Sequence, residues 1–222
     1  MKNNNVKTSD MFKDRIEAGL LLAAKLQKYK EEDGIVFAVP RGGVPVAYTI
    51  AQKLDFPIEI IVTKKIGHPV NKEYAIGAAS LTEHFVVPHK EVTQEYIDGE
   101  LKTIRVRLKE MQKKFLGDKE PENLTGKTII IVDDGMATGS TILCTVNVLK
   151  KSNPGKIIVA VPVSSQDAVE KLSSEVDEVI SVLAPSVFYG VGSFYENFRE
   201  VDDNEVAYYL KKINKLVKDQ AM

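Results

Sequence analysis

Five short apolar runs, at residues 35–39, 58–62, 128–132, 157–161 and 179–182, punctuate the chain, each rich in β-branched residues and each near a stretch with helical spacing. Unbroken apolar runs of this length belong to strands buried on both faces. Their alternation with helices predicts an α/β fold, a mostly parallel sheet flanked by helices. Ahead of the first run, Phe12, Ile16, Leu20, Ala23 and Leu26 recur at steps of three and four, with Ser9 and Asp10 as candidate N-caps and a stop before Asp33-Gly34. Between the second and third runs, Ala75-Ile76-Gly77-Ala78-Ala79 and Phe85-Val86-Val87 flank the polar Thr82-Glu83-His84, the pattern of a hairpin. Ile97, Leu101, Ile104, Leu108, Met111 and Phe115 then mark one long amphipathic helix. Its lysines and arginines interleave with Glu95, Glu100 and Glu110, which reads as a solvated face rather than a basic patch. Residues 201–217 read as a last helix, capped by Asp202 or Asp203.

A length of 222 residues limits this pattern to one core. The expectation is a single domain over residues 1–222, with a helical insertion at about 89–125 and a C-terminal helical tail at about 201–222. Thirty basic side chains against 31 acidic ones leave a net charge of −1, so no polyelectrolyte field draws the chain to nucleic acid or a membrane. The single cysteine, Cys144, rules out an internal disulfide and a multi-cysteine metal site and reads as a small buried helix residue. Residues 1–10 are polar and no apolar run reaches 18 residues, so a cytoplasmic location is expected.

Chemistry concentrates after the third run. Ile129-Ile130-Ile131-Val132 ends in Asp133-Asp134, followed by Gly135-Met136-Ala137-Thr138-Gly139-Ser140-Thr141 and a helix beginning near Ile142. In an open parallel sheet, ligands bind at the carboxyl ends of strands, where these carboxylates stand. Gly135 and Gly139 let the backbone come close to a ligand, the amides at the helix start point toward an anion, and Thr138, Ser140 and Thr141 add hydroxyls. Two carboxylates beside a phosphate cradle repel a bare polyanion unless they hold hydroxyl groups or a hydrated magnesium ion. A sugar phosphate bearing a diol and a metal satisfies both halves. Neither a Walker loop nor a dinucleotide fingerprint occurs here. The plainer alternative, an acidic turn capping a helix, accounts for Ser140 but not for two adjacent acids after four apolar residues.

This stretch resembles the signature of type I phosphoribosyltransferases, which bind 5-phosphoribosyl-1-pyrophosphate (PRPP): a four-residue apolar run, two acids and a Thr-Gly-Ser/Thr loop. The resemblance implies the fold of that family with a small variable hood. It also implies that Asp133 and Asp134 meet the ribose hydroxyls directly or through Mg2+, and that Ala137, Thr138, Gly139, Ser140 and Thr141 hold the 5-phosphate, with Gly135 and Met136 completing the PRPP-binding stretch. Upstream, the first apolar run leads into Pro40-Arg41-Gly42-Gly43, in the place of the family's pyrophosphate loop, with Arg41 supplying charge and Gly42 and Gly43 the close backbone approach. Alone, Arg-Gly-Gly after a strand is an ordinary turn; its order relative to the acidic pair gives it weight. Lys64-Lys65-Ile66-Gly67-His68-Pro69 stands where related enzymes carry a lysine and a mobile loop, which places Lys64 or Lys65 at pyrophosphate and His68, Asn71, Lys72, Glu73 and Tyr74 on or beside a lid. Over residues 12–210 the order of motifs resembles phosphoribosyltransferases of unassigned substrate.

The implied catalytic residues are therefore Asp133, Asp134, Arg41 and Lys65, with Mg2+ on the two aspartates. Expected partners are PRPP, pyrophosphate, an unidentified small-molecule acceptor and a second copy of the chain in a homodimer, with no nucleic acid and no membrane. Phe188, Tyr189, Phe194 and Tyr195 are candidates to stack on a planar acceptor, or else core or dimer contacts. Ala137 stands where enzymes for 6-oxopurines carry an aspartate, which points away from hypoxanthine and guanine and makes Glu73 the first candidate base. A PRPP-sensing regulator without transferase activity is the rival from another class. A phosphohydrolase with Asp133 as nucleophile fits the phosphate-holding loop less well.

Overall fold

A computed structural model describes residues 11–72, 74–116 and 122–220. Five parallel strands form the main sheet: β1 (Gly34–Ala38), β2 (Ile58–Ile60), β6 (Thr128–Val132), β7 (Lys156–Val163) and β8 (Glu178–Leu183), in the order β2-β1-β6-β7-β8. These are the five apolar runs. Successive side chains of a strand point to opposite faces. Val36, Ala38, Ile130, Val132, Ile158 and Ala160 accordingly pack beneath α1 (Arg15–Leu26), α2 (Gly43–Leu54) and α6 (Asp203–Gln220). Ile35, Phe37, Ile129, Ile131, Ile157 and Val159 pack against α4 (Ser140–Leu149) and α5 (Gln166–Ser173) on the other face. Burial on both sides is why these strands are apolar throughout instead of alternating.

A second, antiparallel sheet holds β3 (Lys64–Gly67), β4 (Ala75–Ala79) and β5 (His84–Val86). The β4–β5 pair is the hairpin that the sequence predicts. Strand β3 forms where the resemblance implies a lysine followed by a mobile loop, because Ile66 has a buried place against Ile76 and its backbone pairs with Gly77. Gly77 is needed for the close packing of this sheet, since a Cβ on it would lie 2.2 Å from the Phe85 carbonyl oxygen. The long amphipathic helix is α3 (Gln94–Leu116), whose Ile97, Leu101, Ile104 and Leu108 cover this small sheet in a core of its own.

Helix α1 starts later than expected. Asp14 is its N-cap, its Oδ1 accepting from the Ile16 and Glu17 amides at 2.9 Å each; Ser9 and Asp10 lie outside the described residues. Its buried face is also rotated from the predicted one: Ala18, Leu22, Ala23 and Leu26 face inward, while Leu20 is 44% and Leu21 47% exposed. Gly19 accounts for this rotation. A Cβ there would sit 2.9 Å from the Thr49 Cβ and 3.1 Å from the Val46 carbonyl oxygen, so the bare backbone lets α1 lie close on α2. Of the two candidate caps of α6, Asp202 serves, its Oδ1 accepting from the Glu205 amide at 2.8 Å. No helix among the described residues is long and apolar enough to cross a membrane.

Replacing Gly19 by valine forces branched carbons into the α1–α2 contact, and overpacking of this kind costs about 1–3 kcal/mol. Urea denaturation of Gly19→Val, with an unchanged m-value, measures that loss; an unaltered midpoint would mean that α1 is not held by this contact.

Candidate active site

From β1 the chain crosses to β2 on one side, and from β6 it crosses to β7 on the other. The crevice where directions diverge is the switch point at which open α/β sheets bind ligands. Both sequence motifs leave their strands there. The Val39 amide donates to the Val132 carbonyl at 2.8 Å, which sets the loop after β1 beside the loop after β6. A Cβ on Gly42 would lie 2.0 Å from the Asp134 Oδ2, and one on Gly43 would lie 2.7 Å from the Val132 carbonyl oxygen. Only glycine lets the Arg41-Gly42-Gly43 turn rest on the two acids. The Pro40–Arg41 peptide bond in this turn is cis.

The two carboxylates have different surroundings. Asp134 Oδ2 accepts from Arg15 Nε at 2.8 Å and pairs with Arg15 Nη2 at 2.7 Å. Arg15 is 8% exposed, its Nη1 donates to the Arg199 carbonyl at 2.8 Å, and the Phe198 ring lies 4.0 Å beneath its guanidinium. Tyr195 donates its hydroxyl to the Asp134 main-chain carbonyl at 2.6 Å, and burial together with the Asp134 charge holds that phenol protonated. Asp133 accepts the Asp134 amide at 2.8 Å, and its carboxyl lies within hydrogen-bonding reach of the Asp134 carboxyl. Burial, then the charge of Asp134, pushes the Asp133 carboxyl well above the usual carboxylate range.

The loop that follows is splinted from β7. The Met136 amide donates to the Val163 carbonyl at 2.9 Å, the Ser165 amide to the Met136 carbonyl at 3.0 Å, and the Ser165 hydroxyl to the Ala137 carbonyl at 2.6 Å. Ser165 also caps α5 through the Ala168 amide. With two carbonyls drawn toward Ser165, exposed Ala137 and Thr138 and the left-handed Gly139 (φ 67°) lead into the α4 N-terminus. Ser140 and Thr141, also exposed, open that helix, and the Thr138 and Ser140 hydroxyls lie 3.2 Å apart. Such a turn at a helix start is a concave anion site. Gly135 sits beneath Val191, whose Cγ1 a Cβ there would meet at 2.4 Å, and Met136 is buried.

Arg41 extends from the same crevice to the start of α6, pairing with Glu200 at 2.8 Å and Asp203 at 3.1 Å. Lys64 and Lys65 are exposed on β3. Gly67 is tied to α3 by the Tyr96 hydroxyl at 2.6 Å, and Lys72 bonds Tyr96 and Glu100 at 2.7 Å each, so this stretch of the expected lid is anchored to α3. Glu73 lies outside the described residues. Tyr195 is 4% exposed between Phe12 and Phe198, a core contact with no face for a planar ligand, whereas Tyr189 is fully open at the surface. Arg15, Phe198 and Ser165 are site residues that the pattern along the chain does not single out. One signal is present for Arg15: it shares the three-and-four spacing of Ala18, Leu22 and Leu26, an arginine on an apolar stripe.

A divalent cation fits the Asp133 side of the site. Its carboxylate is a hard oxygen ligand with no protein cation paired to it among the described residues. Nor does any group of three or more His, Cys, Asp or Glu among those residues form a metal cage. An ion here takes the rest of its shell from ligand oxygens and water, as magnesium commonly does.

The fold is a parallel sheet that carries paired acids and a glycine-containing loop at its switch point. The family model of the phosphoribosyl transferase domain matches residues 9–199, and the chain belongs to that family. A Mycobacterium tuberculosis protein provisionally named a phosphoribosyl transferase is 33% identical over 210 residues, covering 92% of this chain and 47% of its own length. A transcriptional regulator of Methanococcus maripaludis, GfcR, is 31% identical over 146 residues, 65% of this chain and 52% of the regulator. The chain thus spans about half the length of the curated relatives it matches. The crystal structure of TT1426 from Thermus thermophilus superposes with a TM-score of 0.82 at 33% identity, covering 91% of this chain and 98% of that one.

Raising the Asp133 pKa on folding has a sign that can be measured. The folded state binds the Asp133 proton more tightly than the unfolded state, so stability from this group is present below the ordinary carboxylate pKa and is lost as pH rises through the raised value. Asp133→Asn removes the loss. Without metal, the variant is expected to melt above the wild type at pH 7, each 1 kcal/mol appearing as about 2–4 °C. The gap closes as pH falls below about 4, the ordinary carboxylate range. A variant that melts lower at pH 7 would contradict this account.

Proposed function

We propose that this chain binds PRPP with Mg2+ and transfers the 5-phosphoribosyl group to a small acceptor, releasing pyrophosphate. One observation carries the reading: Gly42 and Gly43 rest on Asp134 and Asp133, which sets a charged turn, two carboxylates and an anion loop around one crevice. PRPP has the matching parts, a pyrophosphate, a diol and a 5-phosphate. In this reading residues 137–141 hold the 5-phosphate, the acidic pair takes the ribose hydroxyls, and Arg41 turns from Glu200 and Asp203 to pyrophosphate. Lys64 and Lys65 add charge from β3, which follows the carboxyl end of β2.

The bond between the anomeric carbon and the pyrophosphate oxygen breaks, its electron pair leaving with pyrophosphate. The acceptor's lone pair forms the new bond from the opposite face, and its proton passes to a base or water. Positive charge on the ring is greatest midway, so the negative charge of the acidic pair beside the ribose favours that state. Magnesium, when bound, supplies positive charge to the departing group. The regulator among the relatives favours a second reading, in which the same pocket senses PRPP without turnover.

Mg2+ and PRPP together are expected to raise the melting temperature by mass action, the stabilisation being about 2.7 kcal/mol at a hundredfold excess over Kd. Asp133→Asn combined with Asp134→Asn is expected to abolish the shift while the fold remains. An unchanged shift would remove the ribose assignment.

Arg41→Ala should weaken PRPP and pyrophosphate by about ten- to a hundredfold, the worth of a charged hydrogen bond, and leave ribose 5-phosphate nearly intact. Calorimetry on the three ligands decides it; equal losses would mean that the two anion sites are misplaced. On a panel of adenine, hypoxanthine, guanine, uracil and orotate, Ala137 predicts poor turnover of hypoxanthine and guanine. Turnover of none, with the PRPP shift intact, selects the sensor or a non-nucleobase acceptor.

A further inference from the structure

Ser165 grips the loop after β6 twice. Its amide donates to the Met136 carbonyl at 3.0 Å, and its hydroxyl donates to the Ala137 carbonyl at 2.6 Å. These are consecutive carbonyls, and the consequence falls on the far side of each peptide. In a trans peptide the carbonyl and the N–H that follows it point in opposite directions, and the one cis bond of the described backbone is Pro40–Arg41. With the Met136 and Ala137 carbonyls both turned to Ser165, the amides of Ala137 and Thr138 both turn away from it. Successive amides facing one side are an anion-binding nest. Ala137 and Thr138 are exposed, and among the described residues no protein group accepts from the amides of Ala137, Thr138 or Gly139.

Ser165 is itself held from two directions. The Ser164 amide donates to the Leu183 carbonyl of β8 at 3.0 Å and the Ser164 hydroxyl to the Ser165 carbonyl at 2.9 Å. From the other side, Ser165 Oγ accepts the Ala168 amide of α5 at 3.1 Å. Helix α5 lies against the same loop, since a Cβ on Gly139 would meet Leu172 Cδ1 at 3.3 Å and Ala168 Cβ at 3.6 Å.

We propose that Ser165 is a positioning residue for the 5-phosphate: its hydroxyl turns the Ala137–Thr138 peptide so that the Thr138 amide faces the anion alongside that of Ala137. This rests on the PRPP reading above and deepens it at the 5-phosphate end. A hydroxyl suits the place because it donates one hydrogen while its lone pairs still accept, so it holds the loop and caps α5 together. Released from it, the Ala137 carbonyl can swing toward the anion, where its partial negative charge opposes binding. Arg41 is tied instead to Glu200 and Asp203, so the pyrophosphate end does not depend on this clasp.

The test separates the bond to Ala137 from the helix cap. Glycine at an N-cap costs a helix little and alanine costs more. Ser165→Gly therefore removes the hydroxyl with α5 retained, Ser165→Ala weakens both, and Ser165→Thr keeps both. By calorimetry, ribose 5-phosphate is expected to bind Ser165→Gly about five- to tenfold more weakly than wild type, the contribution of one hydrogen bond, and Ser165→Thr within about twofold. Pyrophosphate with MgCl2 is expected to stay within about twofold in both variants. Unchanged ribose 5-phosphate affinity in Ser165→Gly, an equal loss of pyrophosphate, or a threonine variant as weak as the glycine one overturns the proposal. Loss confined to Ser165→Ala makes the residue a helix cap and overturns it too.

Should the glycine variant not fold, the wild-type chain supplies a direct readout. The amide protons of Ala137 and Thr138 should move downfield in a 15N spectrum as ribose 5-phosphate is added, as N–H groups that donate to phosphate do. Binding without movement of the Thr138 amide overturns the proposal. Absence of binding of both PRPP and ribose 5-phosphate by the wild-type chain overturns the PRPP reading and this one with it, whereas each of the other failures overturns this one alone.

Discussion

Strands β1 and β6 pair in parallel from Gly34 with Thr128 to Ala38 with Val132, and the geometry of the site depends on that register. Because the two strands end level, the loops that leave them start at the same height and meet. Their continuing helices, α2 and α4, lie on opposite faces of the sheet, so neither fills the gap between. A shift of one residue in this pairing would turn every side chain of β6 to the wrong face and would part the glycine turn from the acids. The site is thus a by-product of how two apolar strands bury themselves.

The features legible in the sequence are those in which one physical requirement dominates a short stretch. Ile129 to Val132 must be a strand buried on both sides, and acids directly after such a strand stand at its carboxyl end. The hairpin and the long helix α3 are readable for the same reason, a clear period in each. Strand β3 is not, because Lys64-Lys65-Ile66-Gly67 offers only Ile66 to a core that β4 and α3 supply from elsewhere. The phase of α1 is misleading because Leu20 and Leu21 are apolar yet exposed, while the contact that sets the rotation is a glycine against a threonine of another helix.

Site chemistry is legible in its anions and less so in its neutralising partners. Asp133 and Asp134 are adjacent in sequence, but the cation that distinguishes them comes from 119 residues earlier. Nothing local to residue 134 announces it. Tyr195 illustrates the converse: an aromatic among glycines looks like a stacking surface, but its hydroxyl has a fixed acceptor in the Asp134 backbone and its ring has fixed neighbours. Ser165 escapes notice because a serine before a helix is accounted for by capping, and its second bond to Ala137 appears only when β7 lies beside β6.

The small sheet and α3 share a core distinct from the two that flank the main sheet. Val62 packs against both that core and the one beneath α1, α2 and α6, so the two are joined at the end of β2. Residues 64–79 belong with the small core, while Asp133 and the anion loop belong with the main sheet. A substitution inside the small core therefore reaches the acids through the contacts of α3 with α6 and β2 and of the small sheet with α4.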